Sequence, residues 1–292
     1  MSFVDTSVVV APRARRRRIL RRRFLRRPFA VAGLVVAAAF ILGAIAAPLI
    51  APHSPSETDF NVLLAHPSAN HLLGTDELGR DIFSRLIWGA RASIQAGVLA
   101  TLLAMVIAVP IGLVAGYYRG WIDPVIARLT DVVLAFPFLI LAVGLAAILG
   151  PSLTNATIAL GVGSAPGLVR IARGEALALR EEDYVRAAVA NGASDATIIA
   201  RHIVPNMLST LLVQATLIIP GAIIGEAALS FLGLGVQPPT PSWGTMLADA
   251  QSYITSAPRL AVYPGIAIFL CTLSFNLFGD GLRDVLDPRT TR

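Results

Sequence analysis

Apolar residues run along this chain in long blocks nearly free of charge, separated by shorter polar segments, from about residue 29 to residue 279. A block of roughly 20 apolar residues matches the length of a helix that crosses a hydrocarbon layer about 30 Å thick. The pattern predicts six membrane-spanning helices, at about 29–51, 92–117, 126–149, 154–172, 208–232 and 260–279. The expected architecture is therefore all-α and polytopic. An Arg-rich segment (1–28) precedes the first span, and a loop (52–91) follows it. A five-helix body (92–280) contains the polar segment 173–205, and a short tail (281–292) closes the chain. Composition agrees, since 55% of the 292 residues are hydrophobic and 14% are charged, with a mean hydropathy of +0.70.

Charge sets the orientation. All 24 basic residues are arginine. With six spans and an inside N-terminus, 20 arginines fall on the cytoplasmic side and four (Arg80, Arg85, Arg91 and Arg259) fall outside. The positive-inside bias thus puts both termini and the 173–205 segment in the cytoplasm. Ten arginines crowd between Arg13 and Arg27. They serve as a topology determinant, and such a block also attracts anionic membrane lipids at about 1 kcal/mol per residue. A span follows at once, so a nucleic-acid partner is not expected. The sequence Ala44-Ile45-Ala46 resembles a signal-peptide cleavage site, but the apolar run before it exceeds the 7 to 15 residues of a signal h-region. An uncleaved first span is the expectation.

The absence of lysine rules out the Lys of a P-loop; if the protein works uphill, another chain hydrolyses ATP. HExxH and GxSxG are missing as well, so no enzymatic role, cofactor or metal is expected. A surface metal site drawn from His53, Glu57, Asp59, His66 and His71 competes with the simpler reading of ordinary loop residues. The lone Cys271 reads as a small packing residue within the last span.

The segment 173–205, RGEALALREEDYVRAAVANGASDATIIARHIVP, is a polar island between apolar blocks. Glu182 and Arg186 are spaced i,i+4 with the acid first, an order worth about 0.2 to 0.5 kcal/mol in a helix. This predicts a helix over 175–191 outside the membrane. Gly192 suits the left-handed residue that ends a helix. Ser194 can cap the next helix, whose positive end Asp195 favours. Two short helices then meet at a fixed corner, where Ala187 and Ala188 leave room for another protein.

The run from Tyr184 to Pro205 resembles the EAA motif of permease subunits in binding-protein-dependent ABC importers, with Ala187, Ala188, Gly192 and Pro205 in register. Arg186 replaces the motif's Glu, and His202 and Val204 replace its Ile and Leu. Two further stretches, HLLGTDELGRDIFSRLIWGARAS (71–93) and EAALSFLGLGVQPPTPSWGTMLADA (226–250), together with the ending GDGLRDVLDPR, resemble the C-type permease of dipeptide and oligopeptide importers. The resemblance implies a type I (MetI-like) permease core, half of a heterodimeric pore completed by a B-type permease. It also implies two ABC ATPase subunits and an extracytoplasmic peptide-binding protein as partners. Tyr184, Arg186, Ala187, Ala188, Gly192, Ala193, Ser194, His202 and Pro205 are then the expected ATPase-coupling residues. Closely similar permeases serve nickel, which is the alternative substrate.

Ionisable groups inside spans are costly and usually face protein or a water-filled path. Glu226, with no cation nearby in sequence, is either a pathway group or a structural hydrogen-bond partner; Gln95 and Gln214 are weaker pathway candidates. Asp131 is expected to pair with Arg128. Pro110, Pro137, Pro166, Pro220 and Pro264 permit bends within spans. The segment 236–254, with Trp243, Met246 and Tyr253, reads as a plug or receptor contact, or as an aromatic membrane anchor. A secondary transporter would want several paired intramembrane carboxylates and an inverted repeat, and neither is visible.

Overall fold

The computed structural model describes residues 22–286. Among these the chain is helical: α1 (Pro28–Ile45), α2 (Ala47–Ile50), α3 (Ile82–Tyr118), α4 (Ile122–Leu134), α5 (Phe138–Leu149), α6 (Leu153–Arg180), α7 (Asp183–Ala190), α8 (Asp195–Ile198), α9 (Val204–Phe231), α10 (Trp243–Ala250) and α11 (Arg259–Leu286). Four helical stretches are long and apolar enough to cross a membrane: α1, α3, the continuous run Asp195–Phe231 and α11. The α4–α5 pair makes a fifth if its two arms count as one span. The arms meet at 87°, so the block 126–149 is not one straight helix. Pro137 explains the break, because it has no N–H to donate and it pushes Phe136 away from helical geometry. By contrast Pro110, Pro166, Pro220 and Pro264 sit within helices that continue through them.

The helices are held together largely by close approach. Along α3 the small residues Ala100, Ala104, Ala108, Gly112 and Gly116 recur every fourth position, all on one buried face. Gly112 and Gly116 meet Val169, Ala172 and Ala176 of α6, and Ala100 meets Gly161 further up the same helix. A Cβ placed on Gly112 would lie 2.6 Å from the Ala172 Cβ and 2.8 Å from the Val169 carbonyl oxygen. Within a membrane, where neighbouring lipid is as apolar as leucine, such small-residue seams allow the van der Waals packing that drives helix association. The α6 block carries Arg170, Arg173, Glu175 and Arg180, and this polar content keeps α6 out of the group of strongly apolar helices.

Ahead of α3, the GTDELGRD stretch builds a charged clamp. Asp81 caps α3, accepting from the Ser84 N–H at 2.8 Å. Arg80 donates to Asp76 at 2.6 Å and to Glu77. Arg80 and Arg85 both donate to Asp249 of α10, each at 3.1 Å. Loop and helix are thereby tied across more than 160 residues of sequence. Burial, with the neighbouring Asp76 charge adding to it, raises the Glu77 carboxyl above its usual range. Trp243 is fully buried, donates its indole N–H to the Leu86 carbonyl at 3.0 Å and packs edge-on against Phe40. It is therefore a core residue joining α10 to α1 and α3, and the membrane-anchor reading of Trp243 is corrected.

Candidate functional site

The polar island folds as a corner built from local signals. Helix α6 runs on to Arg180, so the separate helix is only α7, shorter than the 175–191 expected. Glu181 and Glu182 form the first bend. The second follows α7: Gly192 has φ +75°, and the Gly192 and Ala193 N–H groups donate to the Val189 and Ala188 carbonyls at 2.9 and 3.1 Å. These are the two bonds of a Schellman turn, which needs a left-handed residue where Gly192 stands. Ser194 then caps α8, accepting from the Thr197 N–H. One π-helical turn over Ile199–Ile203 leads into α9, with Pro205 in its first turn, where a missing N–H costs nothing.

The corner is fastened to the bundle from beneath. Val185, Ile198, Ile203 and Met207 are buried in one cluster with Tyr117 of α3 and Ala172 and Ala176 of α6. The Tyr117 hydroxyl donates to Asp195 at 2.7 Å, and the Arg180 guanidinium lies 5.5 Å above the Tyr117 ring. Arg186 pairs with Glu181 at 2.8 Å rather than with Glu182. The same Glu181 also receives Arg119, because α3 ends beside the bend. Arg186 foremost, then Arg119, holds the Glu181 carboxyl below its usual range. Burial raises the phenol of Tyr184, with the Glu182 charge adding to it, and the Tyr184 ring stands 6.1 Å from that of His202.

Of the expected coupling residues, Tyr184, Arg186, Ala187, Gly192, Ser194 and Pro205 are exposed, whereas Ala188, Ala193 and His202 are half-buried. Ala188 and Ala193 face the core cluster, as the turn's closing contact requires. Ala187, not Ala188, is thus the small residue offered outward, beside the exposed Tyr184 and Ala190. The outward face of α7 thus mixes small and charged residues, Ala187 and Ala190 with Asp183 and Arg186, and Val185 on the opposite face wedges the corner against three long helices.

The pathway candidates are not brought together. Glu226 is completely buried. Its carboxyl accepts from Ser93 of α3 at 2.6 Å and from Ser230 of α9 at 2.7 Å, and Ser242, ahead of α10, is a third hydroxyl partner. Ser230 in turn accepts from the Val236 N–H. Gln95, two residues from Ser93, is exposed in a crevice beside α1, and Gln214 is half-buried on α9. Asp131 pairs with Arg170 at 2.7 Å, not with Arg128, because α6 packs beside α4. The sequence reading did not find the serine partners of Glu226. Their signal, Ser93 at the end of the 71–93 stretch and Ser230 and Ser242 within the 226–250 stretch, has meaning only once the helices are packed.

His53 and His71 come together with Asp81 rather than with Glu57, Asp59 and His66, and the three offer ligand atoms within 4.8 Å of one another. His71 Nδ1 is bonded to Asp81 at 3.0 Å and His53 Nε2 to the Asn70 carbonyl at 2.8 Å, and the two rings stack at 4.8 Å. Stacked imidazoles aim their in-plane lone pairs side by side instead of at one point, so the arrangement is a hydrogen-bonded anchor for the loop.

Known proteins match this architecture. The model of the binding-protein-dependent transport system inner membrane component fits residues 108–292, and that of the N-terminal TM domain of oligopeptide transport permease C fits residues 16–67. The dipeptide transport system permease protein DppC of Alkalihalophilus pseudofirmus is 49% identical over 257 residues, 88% of this chain and 84% of that protein. The glutathione transport system permease protein GsiD of Pectobacterium atrosepticum is 47% identical over 231 residues, 79% of this chain and 77% of that protein. Among solved structures, an inward-facing MetNI methionine ABC transporter superimposes with a TM-score of 0.58 at 20% identity, over 70% of this chain and 97% of that one; this likeness establishes the fold. With a family model covering most of the chain and relatives near half identity across it, the protein belongs to the family of inner-membrane components of binding-protein-dependent transport systems.

Proposed function

We propose that this chain is one of two permease subunits of an ATP-driven importer of short peptides. It forms half of the pore and does no chemistry of its own; two ATPase subunits hydrolyse the nucleotide, and an extracytoplasmic binding protein delivers the substrate. The observation that carries the substrate class is the 49% identity to a dipeptide permease across 88% of the chain. The glutathione permease relative points the same way, since glutathione is also built through peptide bonds. Coupling to the ATPase falls to the cytoplasmic corner: its exposed Tyr184 and Ala187 form the contact, and Val185 transmits the motion to α3, α6 and α9.

The test is uptake of labelled di- to pentapeptides and of labelled glutathione by vesicles holding the complete complex, with nickel as a competing solute. Peptide uptake is expected to require ATP and the binding protein. Nickel uptake without peptide uptake overturns the peptide reading, and uptake by this chain without ATP overturns the importer reading as well.

Both termini and the corner are assigned to the cytoplasm. The excess of arginine on that side supports this orientation. Reporter fusions after residue 24, within 173–205 and after residue 288 should report cytoplasm, and fusions near 65 and 245 the outside. An external signal from the 173–205 fusion removes the corner from any contact with an ATPase.

A further inference from the structure

Two crevices flank α1. One, of about 460 Å³, lies between α1 and α11 over Trp243 and is lined by apolar and aromatic side chains with no charged group. The other, of about 350 Å³, lies between α1 and α3 and is different in kind. Ile41, Ala44 and Ile45 form one wall, Ile94, Val98 and Leu99 the other, and Arg91 and Gln95 stand at one end. Arg91, Gln95 and Leu99 follow one another at four-residue intervals and are all exposed, so they make a single stripe down α3. From Arg91 to Leu99 the stripe covers about 12 Å along the helix axis.

The polarity of this groove runs in one direction. Arg91 is level with the C-terminal end of α1, the end far from the Arg-rich N-terminal segment, and the apolar walls continue from there toward the bundle's middle. Its guanidinium lies 5.7 Å from the centre of the Trp88 ring, one turn nearer the extracytoplasmic loop. An aromatic ring beside an outward-reaching arginine is the arrangement of side chains at headgroup depth. Among the described residues Arg91 has that ring contact and no carboxylate partner. The surface outside the groove is apolar, with Leu42 and Ile45 of α1 and Leu99, Leu102 and Val106 of α3 all exposed.

We propose that the α1–α3 groove is a binding site for one phospholipid of the extracytoplasmic leaflet. The Arg91 guanidinium holds the phosphodiester, since a planar fork of N–H donors matches phosphate oxygens. The Gln95 amide reaches the glycerol ester region, and one acyl chain lies between the Ile41/Ile45 and Ile94/Val98/Leu99 walls. An unpaired guanidinium at the head of an apolar groove calls for an anion carrying a hydrocarbon tail, and the phospholipid supplies both. Its leaflet rests on the orientation proposed above, while the site itself does not depend on the identity of the transported substrate. Occupancy fills the seam between the first helix and the rest of the bundle.

The complete complex, purified in mild detergent and washed free of loosely held lipid, is titrated with phosphatidylglycerol and the bound lipid counted by native mass spectrometry. The wild-type complex should retain one more phosphatidylglycerol than Arg91→Gln under the same wash, with at least a tenfold weaker apparent affinity in the variant. Val98→Phe, which fills the groove and leaves the charge intact, should lower retention as well, and millimolar inorganic phosphate should not displace the lipid from the wild type. Equal retention by the wild type and both variants overturns the proposal. So does efficient cross-linking of Arg91→Cys or Ile45→Cys to the second permease, which would mean that protein covers the groove.

Discussion

Glu226→Ala is expected to destabilise the folded protein by roughly 3 to 5 kcal/mol, enough to remove most of it from the membrane. The carboxyl gathers the hydroxyls of Ser93, Ser230 and Ser242. Those serines belong to α3, to α9 and to the approach to α10. Truncation strands buried hydroxyl groups, at about 1 to 3 kcal/mol for a donor left without its partner. It also opens a cavity in a close-packed region, which adds to the cost. Glu226→Gln keeps the shape and one accepting oxygen, and each serine hydroxyl can turn to accept from the new amide; its loss should be less than half as large. Thermal unfolding of the detergent-solubilised complex distinguishes the two. An alanine variant as stable as the wild type removes the structural role and leaves the pathway role as the surviving account of Glu226. Under the structural role, the glutamine variant transports with an unaltered pH profile.

At the corner, Gly192→Val should leave an inserted protein that no longer couples transport to ATP. A Cβ at Gly192 meets nothing within 4 Å, so space is not the constraint. The constraint is φ +75°, a left-handed conformation that costs an L-residue roughly 1 to 2 kcal/mol and a β-branched one the most. The valine chain relieves that strain by opening the Schellman turn, and α7 then loses its fixed angle to α8. Substrate-stimulated ATP hydrolysis by the complete complex should fall at least tenfold, with association of the ATPase weakened. Gly192→Asn, which tolerates the left-handed region, should retain most of the activity. Ala187→Asp tests the outward face, because it puts a second acid one turn from Asp183 at a small exposed position and leaves the half-buried Ala188 contact in place. Wild-type coupling in both Gly192→Val and Ala187→Asp would show that the ATPase docks elsewhere.

Much of this protein is written in near neighbours along the chain. The apolar blocks establish a helical membrane protein, because a bilayer leaves every backbone polar group to be satisfied within its own helix. The ends of the corner are equally local. Gly192 closes α7 and Ser194 opens α8, through bonds that span no more than five residues. The motif register from Tyr184 to Pro205 could therefore be read before any packing was known. A four-residue recurrence from Ala100 to Gly116 was also present in the sequence, although only the contact with Ala172 and Ala176 makes it a helix seam.

Tertiary structure decided the partners. Arg119 reaches Glu181 from 62 residues away and Asp131 turns to Arg170 from 39 away, because α3 and α6 bring charges from elsewhere in the chain. Trp243 sits in the core instead of at the membrane surface, since the Arg80/Arg85–Asp249 clamp draws α10 inward. Pro137 signalled a break, but the 87° turn of the helix depends on what its two arms pack against. Of the serines around Glu226, Ser230 is a near neighbour one turn along the same helix, but Ser93 of α3 lies 133 residues away and only packing brings it in. The sequence alone determines what each segment can form with its own neighbours, through turn geometry, capping and hydropathy. Which buried polar group meets which is a question of distances between segments remote in the chain, and only the packed helices set those.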